Sequence, residues 1–129
     1  MKFKTFAIIA FLVSLNSLSA QTTFEKWPAI KEFHEVMSQT FHPSEEGNLQ
    51  PVKSRAEELM NKAAAVLKSN IPEEFKTKSI LAAAEKLQLQ SKTVYKLVEA
   101  KASDADIKTA LSDLHDIFHD IVGQCAEKK

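Results

Sequence analysis

In four successive segments of this 129-residue chain, mostly apolar residues follow one another at alternating spacings of three and four positions. Such spacing places side chains on one face of an α-helix, which turns about every 3.6 residues. Two glycines and four prolines leave few positions for hairpin turns, which argues against an all-β fold. The four stripes are Trp27, Ile30, His34, Met37 and Phe41; Val52, Ala56, Leu59, Ala63 and Leu67; Ile80, Ala84, Leu87, Ser91, Val94 and Val98; and Ile107, Leu111, Leu114, Phe118 and Ile121. We therefore predict an all-α protein, an antiparallel up-down-up-down four-helix bundle in which the first and last helices are neighbours.

Residues that start or stop helices lie between the stripes. The predicted starts are Pro51 at a first helical position, Glu73 with Glu74, and Ser103, which has Asp106 at the third position of a capping box. The predicted ends are His42-Pro43, Asn70 with Pro72, and Gly123.

The first twenty residues have the layout of a secretory signal peptide. Lys2 and Lys4 precede an apolar run over residues 6–13, and small residues lead up to Ala20. The run is too short to span a bilayer. We predict a signal peptide over residues 1–20, one helical domain over residues 21–129 with no membrane span, and a periplasmic or secreted protein. The single cysteine, Cys125, cannot form an internal disulfide.

Charge and motifs exclude several classes of function. Seventeen basic residues balance seventeen acidic ones, so the chain has no basic stripe for nucleic acid. It contains no G-x-S-x-G or H-E-x-x-H motif, and two glycines cannot build a phosphate-binding loop. We expect a protein that does not bind nucleic acid, has no membrane span in its mature chain and is not an enzyme.

The histidines suggest a metal site. His115 and His119 are four residues apart, which places both on one face of the last helix, a spacing that suits chelation. In an antiparallel pair, His34 can lie level with His119 while Met37 lies level with His115. We predict a transition-metal site made of these four residues. Imidazole with thioether suits copper, and three imidazoles suit zinc, copper or nickel.

Other side chains near these positions are less strongly indicated as parts of the metal site. Asp113, Asp116 and Asp120 could orient the imidazoles or simply make the outer face polar. Glu45 and Glu46 could add oxygen ligands beside His42, although an acidic loop is usually only solvated. Each predicted ligand also has an ordinary structural interpretation: a core histidine for His34, a solvated one for His115, a helix-terminal cation for His119 and a core gap-filler for Met37.

The decapeptide ALSDLHDIFH, residues 110–119, resembles the last helix of the cytochrome c-prime family, which carries C-x-x-C-H followed by D-x-F/Y-R. In that overlay Leu111 and Leu114 replace the two haem-attaching cysteines, His115 stands at the iron ligand and His119 replaces the arginine. Met37 falls near the methionine ligand of the soluble b-type cytochromes that share the bundle.

The resemblance excludes one kind of haem and leaves other ligands open. Without thiols at 111 and 114, a covalent c-type haem is excluded. A non-covalent b-type haem held by His115 and Met37 or His34 for electron transfer remains open, as does a bare metal ion used in metal buffering, delivery or sensing. A third alternative is a cofactor-free structural or interaction module. The family analogy is also compatible with a homodimer through the first two helices.

Overall fold

A computed structural model describes residues 20–127, which form helices and short connections without any β-strand. The four long helices are α1 (Pro28–Glu45), α2 (Gln50–Lys68), α3 (Lys78–Glu99) and α4 (Asp104–Ala126). A 3₁₀ turn, Glu73–Phe75, lies between α2 and α3, and residues 20–26 are helical ahead of Trp27. The predicted all-α class is confirmed. Apart from Ala20, the predicted signal peptide lies outside the described residues.

Each long helix packs against the next, and α1 also meets α4 over a less extensive contact. The α1–α2 pair is antiparallel, because Arg55 reaches Gln39 whereas Lys62, further along α2, reaches Glu32, nearer the start of α1. No helix within residues 20–127 is long and apolar enough to cross a membrane.

The predicted stripes form the buried core, with small displacements at their edges. Phe33 is fully buried on α1, whereas its neighbour His34 is only half-buried. Likewise Val66 is buried on α2 while Leu67 is partly exposed. The apolar faces are therefore wider than a single row of residues, as expected for a helix that packs against two neighbours.

Three of the predicted boundaries agree with the structure. Ser103 is the N-cap of α4, and its Oγ accepts a hydrogen bond from the backbone N–H of Asp106 at 3.2 Å. Helix α2 ends at Lys68, before Asn70 and Pro72, and Pro51 lies in its first turn. Side-chain capping and the missing proline N–H explain why these residues were reliable markers.

Three predicted boundaries were wrong. Helix α1 continues through Pro43 to Glu45; the proline lacks one backbone hydrogen bond, while in the same last turn Ser44 Oγ donates to the Phe41 carbonyl at 2.7 Å. The Glu73-Glu74 pair forms the 3₁₀ turn, and α3 is capped instead by Thr77, whose Oγ1 accepts from the N–H of Ile80 at 3.1 Å.

The third wrong boundary is Gly123, which lies inside α4. The helix continues one turn further and buries Cys125 against the core, which offsets the low helix propensity of glycine.

The chain turns sharply at Trp27. The Phe24 and His34 rings are 4.9 Å apart, whereas ten residues of straight helix would separate them by about 15 Å. Residues 20–26 therefore fold back along α1. The turn is fixed by Trp27, whose backbone N–H donates to the Thr23 carbonyl and whose indole Nε1 donates to Ser69 Oγ at 2.9 Å.

Candidate metal centre

Two histidines of α4 meet at their ring nitrogens. The Nε2 atoms of His115 and His119 are 3.1 Å apart, with the rings nearly perpendicular at 78°. Their separation of four residues places them one turn apart on the same face of the helix. His119 is exposed and His115 is half-buried, so the two nitrogens meet at the protein surface.

The distance between these nitrogens suits the coordination of one ion. Metal–imidazole bonds are about 2.0–2.1 Å long, and ligand angles of about 90–109° then place two nitrogens about 2.8–3.4 Å apart. The observed 3.1 Å lies within that range. The same pair shares a hydrogen bond when one ring is protonated at Nε2 and the other is not.

The orientation of His115 is set by Phe41 of α1. The two rings are parallel within 5°, and their centroids are 3.7 Å apart. His115 also meets the exposed His119, whose ring centroid lies 4.3 Å away with 78° between the ring planes. Phe41 itself is 9% exposed, so a buried ring holds the half-buried imidazole in place.

His34 occupies a similar position on α1, about two turns before Phe41. Its ring stacks between Phe24, at 4.9 Å, and Phe118 of α4, at 5.4 Å. The contacts His34–Phe118 and Phe41–His115 show that α1 and α4 run antiparallel, because the higher-numbered residue of one meets the lower-numbered residue of the other. We call this row of rings the aromatic seam; its members are Phe24, His34, Phe41, His115, Phe118 and His119.

Of the four predicted ligands, only the three histidines lie near one another. His115 and His119 touch, and His34 is near enough to His119 for their charges to interact. Met37 is buried in the core with 1% exposure, and it is Phe41, one turn further along α1, that packs on His115. Within residues 20–127 no group of three or more His, Cys, Asp or Glu side chains is arranged to hold a metal ion.

Burial favours neutral imidazoles in the seam. It lowers the pKa of His115 below its usual value of 6.5, and the nearby charges of His119 and His42 lower it further, while Asp116 and Glu45 oppose them. Burial is also the main reason that the pKa of His34 is lowered, again with His119 and His42. Metal ions compete with protons for imidazole nitrogen, so a lowered pKa leaves the nitrogen free to bind.

Cys125 does not belong to this surface. Its side chain is 3% exposed, and burial raises the pKa of the thiol to about 12, with a further contribution from Glu74. Because metals bind the thiolate, a thiol with this pKa is a poor ligand at neutral pH. Cys125 behaves as a small core residue.

Three phenylalanines of the seam were not predicted as parts of the site. Phe41 and Phe118 appear in the sequence only as members of apolar stripes. Phe24 lies outside those stripes and meets His34 only because the chain folds back at Trp27. The sequence offered one signal for Phe41: it lies four residues, or one helical turn, after the candidate ligand Met37.

No protein-family model matches the chain, and no curated protein or solved structure is significantly similar to it. Its function is therefore inferred from its own residues.

Proposed function

We propose that this chain binds a divalent transition-metal ion, copper, zinc or nickel, through Nε2 of His115 and Nε2 of His119. The observation that carries the proposal is the 3.1 Å separation of these two nitrogens at the surface of α4. Two imidazoles one turn apart provide a chelate that is present before the ion arrives, which lowers the entropy cost of binding.

The site suits an ion that exchanges. The two ligands of one chain leave coordination positions open for further ligands, unlike a structural zinc site in which one chain supplies all four. His119 is exposed, so an incoming or outgoing ligand can reach the ion directly. Buffering, delivery or sensing of a metal needs this kind of access.

The two other predicted ligands would have to move to take part. His34 would leave its stack between Phe24 and Phe118, and Met37 would leave the core. Removing a buried methionine side chain from the core costs about 2 kcal/mol or more. The proposal therefore rests on the pair in α4.

Haem is the less favoured ligand on the same geometry. Nε2 of His115 is directed at His119, so a porphyrin bound to that nitrogen would displace the His119 ring. Phe41 covers the face of His115, and Met37 is packed in the core rather than facing the imidazole nitrogen. A bare ion requires none of these groups to move.

We also infer that the four helices form an up-down-up-down bundle in an exported protein. Supporting contacts are the antiparallel α1–α2 pairs, the hydrogen bond from Gln90 Nε2 of α3 to the Ala110 carbonyl of α4, and the meeting of α1 with α4 along the aromatic seam. The signal-peptide pattern of residues 1–20 supports export to the periplasm or the exterior.

The test is a calorimetric titration of the purified chain, carrying no polyhistidine tag, with ZnCl₂, CuCl₂ and NiCl₂. His119→Ala and His115→Ala should each weaken binding at least tenfold, since a single imidazole then remains. His42→Ala is the matched control, because His42 is exposed on α1 and lies outside the pair. Circular dichroism verifies that each variant is folded.

Equal affinity in the native chain and His119→Ala would disprove the site. A parallel titration with haemin separates the alternatives: a Soret band with saturating haem and no metal binding would favour the b-type haem protein. Binding of neither ligand would leave the cofactor-free module.

A further inference from the structure

We infer, resting on the proposed function, that one metal ion is shared by two copies of this chain, each contributing His115 and His119. A second copy therefore occupies the exposed face of α4, and the metal ion links the two copies through four imidazoles. The argument rests on the number of donors, the shape of this helix face and its charge.

The first step is the count of donors. Zinc in a protein is usually held by four ligands in a tetrahedron. One chain offers two imidazoles at 3.1 Å, and the part of the chain that the structure describes holds no group of three or more His, Cys, Asp or Glu side chains arranged around an ion. A second copy supplies the two missing ligands with the same chemistry and the same spacing.

The second step is access to the face. On α4 the residues one turn to either side of the histidine pair are Ser112 and Gly123, which are the smallest side chains available to a polar surface. A Cβ built on Gly123 would meet no atom within 4 Å, so the surface beside His119 is open. Along α4 itself, Ser112 and Gly123 leave room for a second helix to approach the pair.

The third step is charge. Asp116 and Asp120 each follow one of the two histidines, about 100° around α4, so both are exposed at the edge of the face that carries the pair. Two copies placed face to face bring four carboxylates together, and like charges repel. An ion carrying two positive charges, bound between the imidazoles, compensates that repulsion, so the contact should form only with metal present.

The symmetry of such a contact limits its size. The same patch of each chain meets itself across a two-fold axis through the ion, which makes the interface isologous. An isologous contact closes at two copies and does not continue into a filament. The interface also differs from a homodimer through the first two helices, because it uses α4.

Sedimentation velocity of the purified, untagged chain with added ZnCl₂ tests the inference. Without metal, and again after EDTA, we expect monomers; with half an equivalent of zinc we expect the mass to double. A large excess of zinc should return monomers, because each chain then binds an ion of its own. The dimer fraction should therefore pass through a maximum near one ion per two chains.

The variants identify the bridge. His119→Ala should remain monomeric at every zinc concentration, and His42→Ala should dimerise like the native chain. His119 is exposed, so its replacement leaves the core intact. Dimers that persist in EDTA or in His119→Ala would overturn the inference, as would species larger than a dimer or loss of dimers in His42→Ala.

Failure of this inference is distinguishable from failure of the proposed function. A monomer that binds one zinc ion through His115 and His119 overturns the shared site and leaves the metal-binding proposal intact. A monomer that binds no zinc in the calorimeter overturns both.

Discussion

The imidazole of His115 lies parallel to the phenyl ring of Phe41, with 5° between their planes and 3.7 Å between their centroids. The two side chains come from opposite ends of the sequence, one on α1 and one on α4. Because Phe41 is nearly buried, it fixes the plane of the imidazole and thereby the direction in which Nε2 points. Here that direction leads to His119.

Replacing Phe41 with leucine should therefore weaken metal binding without touching a ligand. A flexible aliphatic side chain no longer holds the imidazole plane, so the pair must be ordered when the ion binds. We expect a several-fold loss of zinc affinity by calorimetry and a loss of about 1 kcal/mol in the free energy of unfolding, measured with denaturant.

Phe33→Leu is the matched control for this variant. Phe33 is on the same helix and fully buried, but its ring packs on Phe118 rather than on His115. We expect a loss of stability at least as large and an unchanged zinc affinity. Equal losses of affinity in the two variants would show that general loosening, and not the stack, is responsible.

Stability should fall as the pH is lowered through the range in which histidine titrates. The pKa values of His34 and His115 are lowered in the folded state, mainly by burial, from 6.5. Below about pH 6.5 the unfolded chain therefore binds protons that the folded chain does not, and the difference favours unfolding. The loss is complete once the pH lies below the folded pKa values.

The measurement is the melting temperature in metal-free buffer between pH 7.5 and about pH 5. We expect a decrease toward acid that is shallower in His34→Gln, which cannot be protonated there. Above pH 7 the two chains should show parallel, nearly flat profiles. An identical acid slope in both would mean that burial of His34 does not contribute to the pH dependence.

A buried serine on α3 should be dispensable. Ser91 is 0% exposed, and within residues 20–127 its Oγ has no hydrogen-bond partner. Burying an unpaired hydroxyl costs free energy, so Ser91→Ala should raise the free energy of unfolding by about 1 kcal/mol. Chemical denaturation followed by circular dichroism gives the value.

Ser69→Ala is the comparison variant, because the hydroxyl of Ser69 does have hydrogen-bond partners. Ser69 Oγ accepts from the indole Nε1 of fully buried Trp27 and donates to the carbonyl of Val66. Its removal leaves the indole N–H without that partner and should cost about 1–2 kcal/mol. A loss in Ser91→Ala comparable with that in Ser69→Ala would contradict the unpaired state of Ser91.

A substitution in the turn between α3 and α4 should increase the stability of the fold. Lys101 has φ +55°, in the left-handed region, and closes α3 by donating its N–H to the carbonyl of Val98 while Ala102 donates to Leu97. Glycine adopts this conformation without strain, so Lys101→Gly should stabilise the fold by about 0.5–1 kcal/mol. Ala100→Gly, at φ −79°, should instead destabilise it. Denaturant midpoints that fall in both variants would rule out strain at Lys101.

Much of the fold was available from the sequence because it depends on local periodicity. The stripes of Val52 to Ala63 and of Ile107 to Ile121 are buried as predicted, and Ser103 caps α4 through its own side chain. These features follow from helix geometry and from contacts within a few residues. The class of fold and the adjacency of His115 and His119 were therefore predictable.

The errors had two sources: a distant contact that outweighed local preference, and a local helix cap that the sequence analysis did not recognise. Gly123 is a frequent helix terminator, yet α4 continues because burying Cys125 against the core is more favourable than stopping. Glu73 and Glu74 are good first-turn residues, but Thr77 offers the hydrogen bond that actually caps α3. Local propensity is weak compared with packing.

The sequence by itself determined that the chain is helical and that two imidazoles lie one turn apart on α4, since both depend only on spacing along one helix. The tertiary structure alone decided what surrounds them. It placed Phe41 on His115, stacked His34 between Phe24 and Phe118, and left Met37 in the core. These relations depend on the rotation and register of α1 against α4, which arise from packing of the whole core and not from any single stretch of sequence.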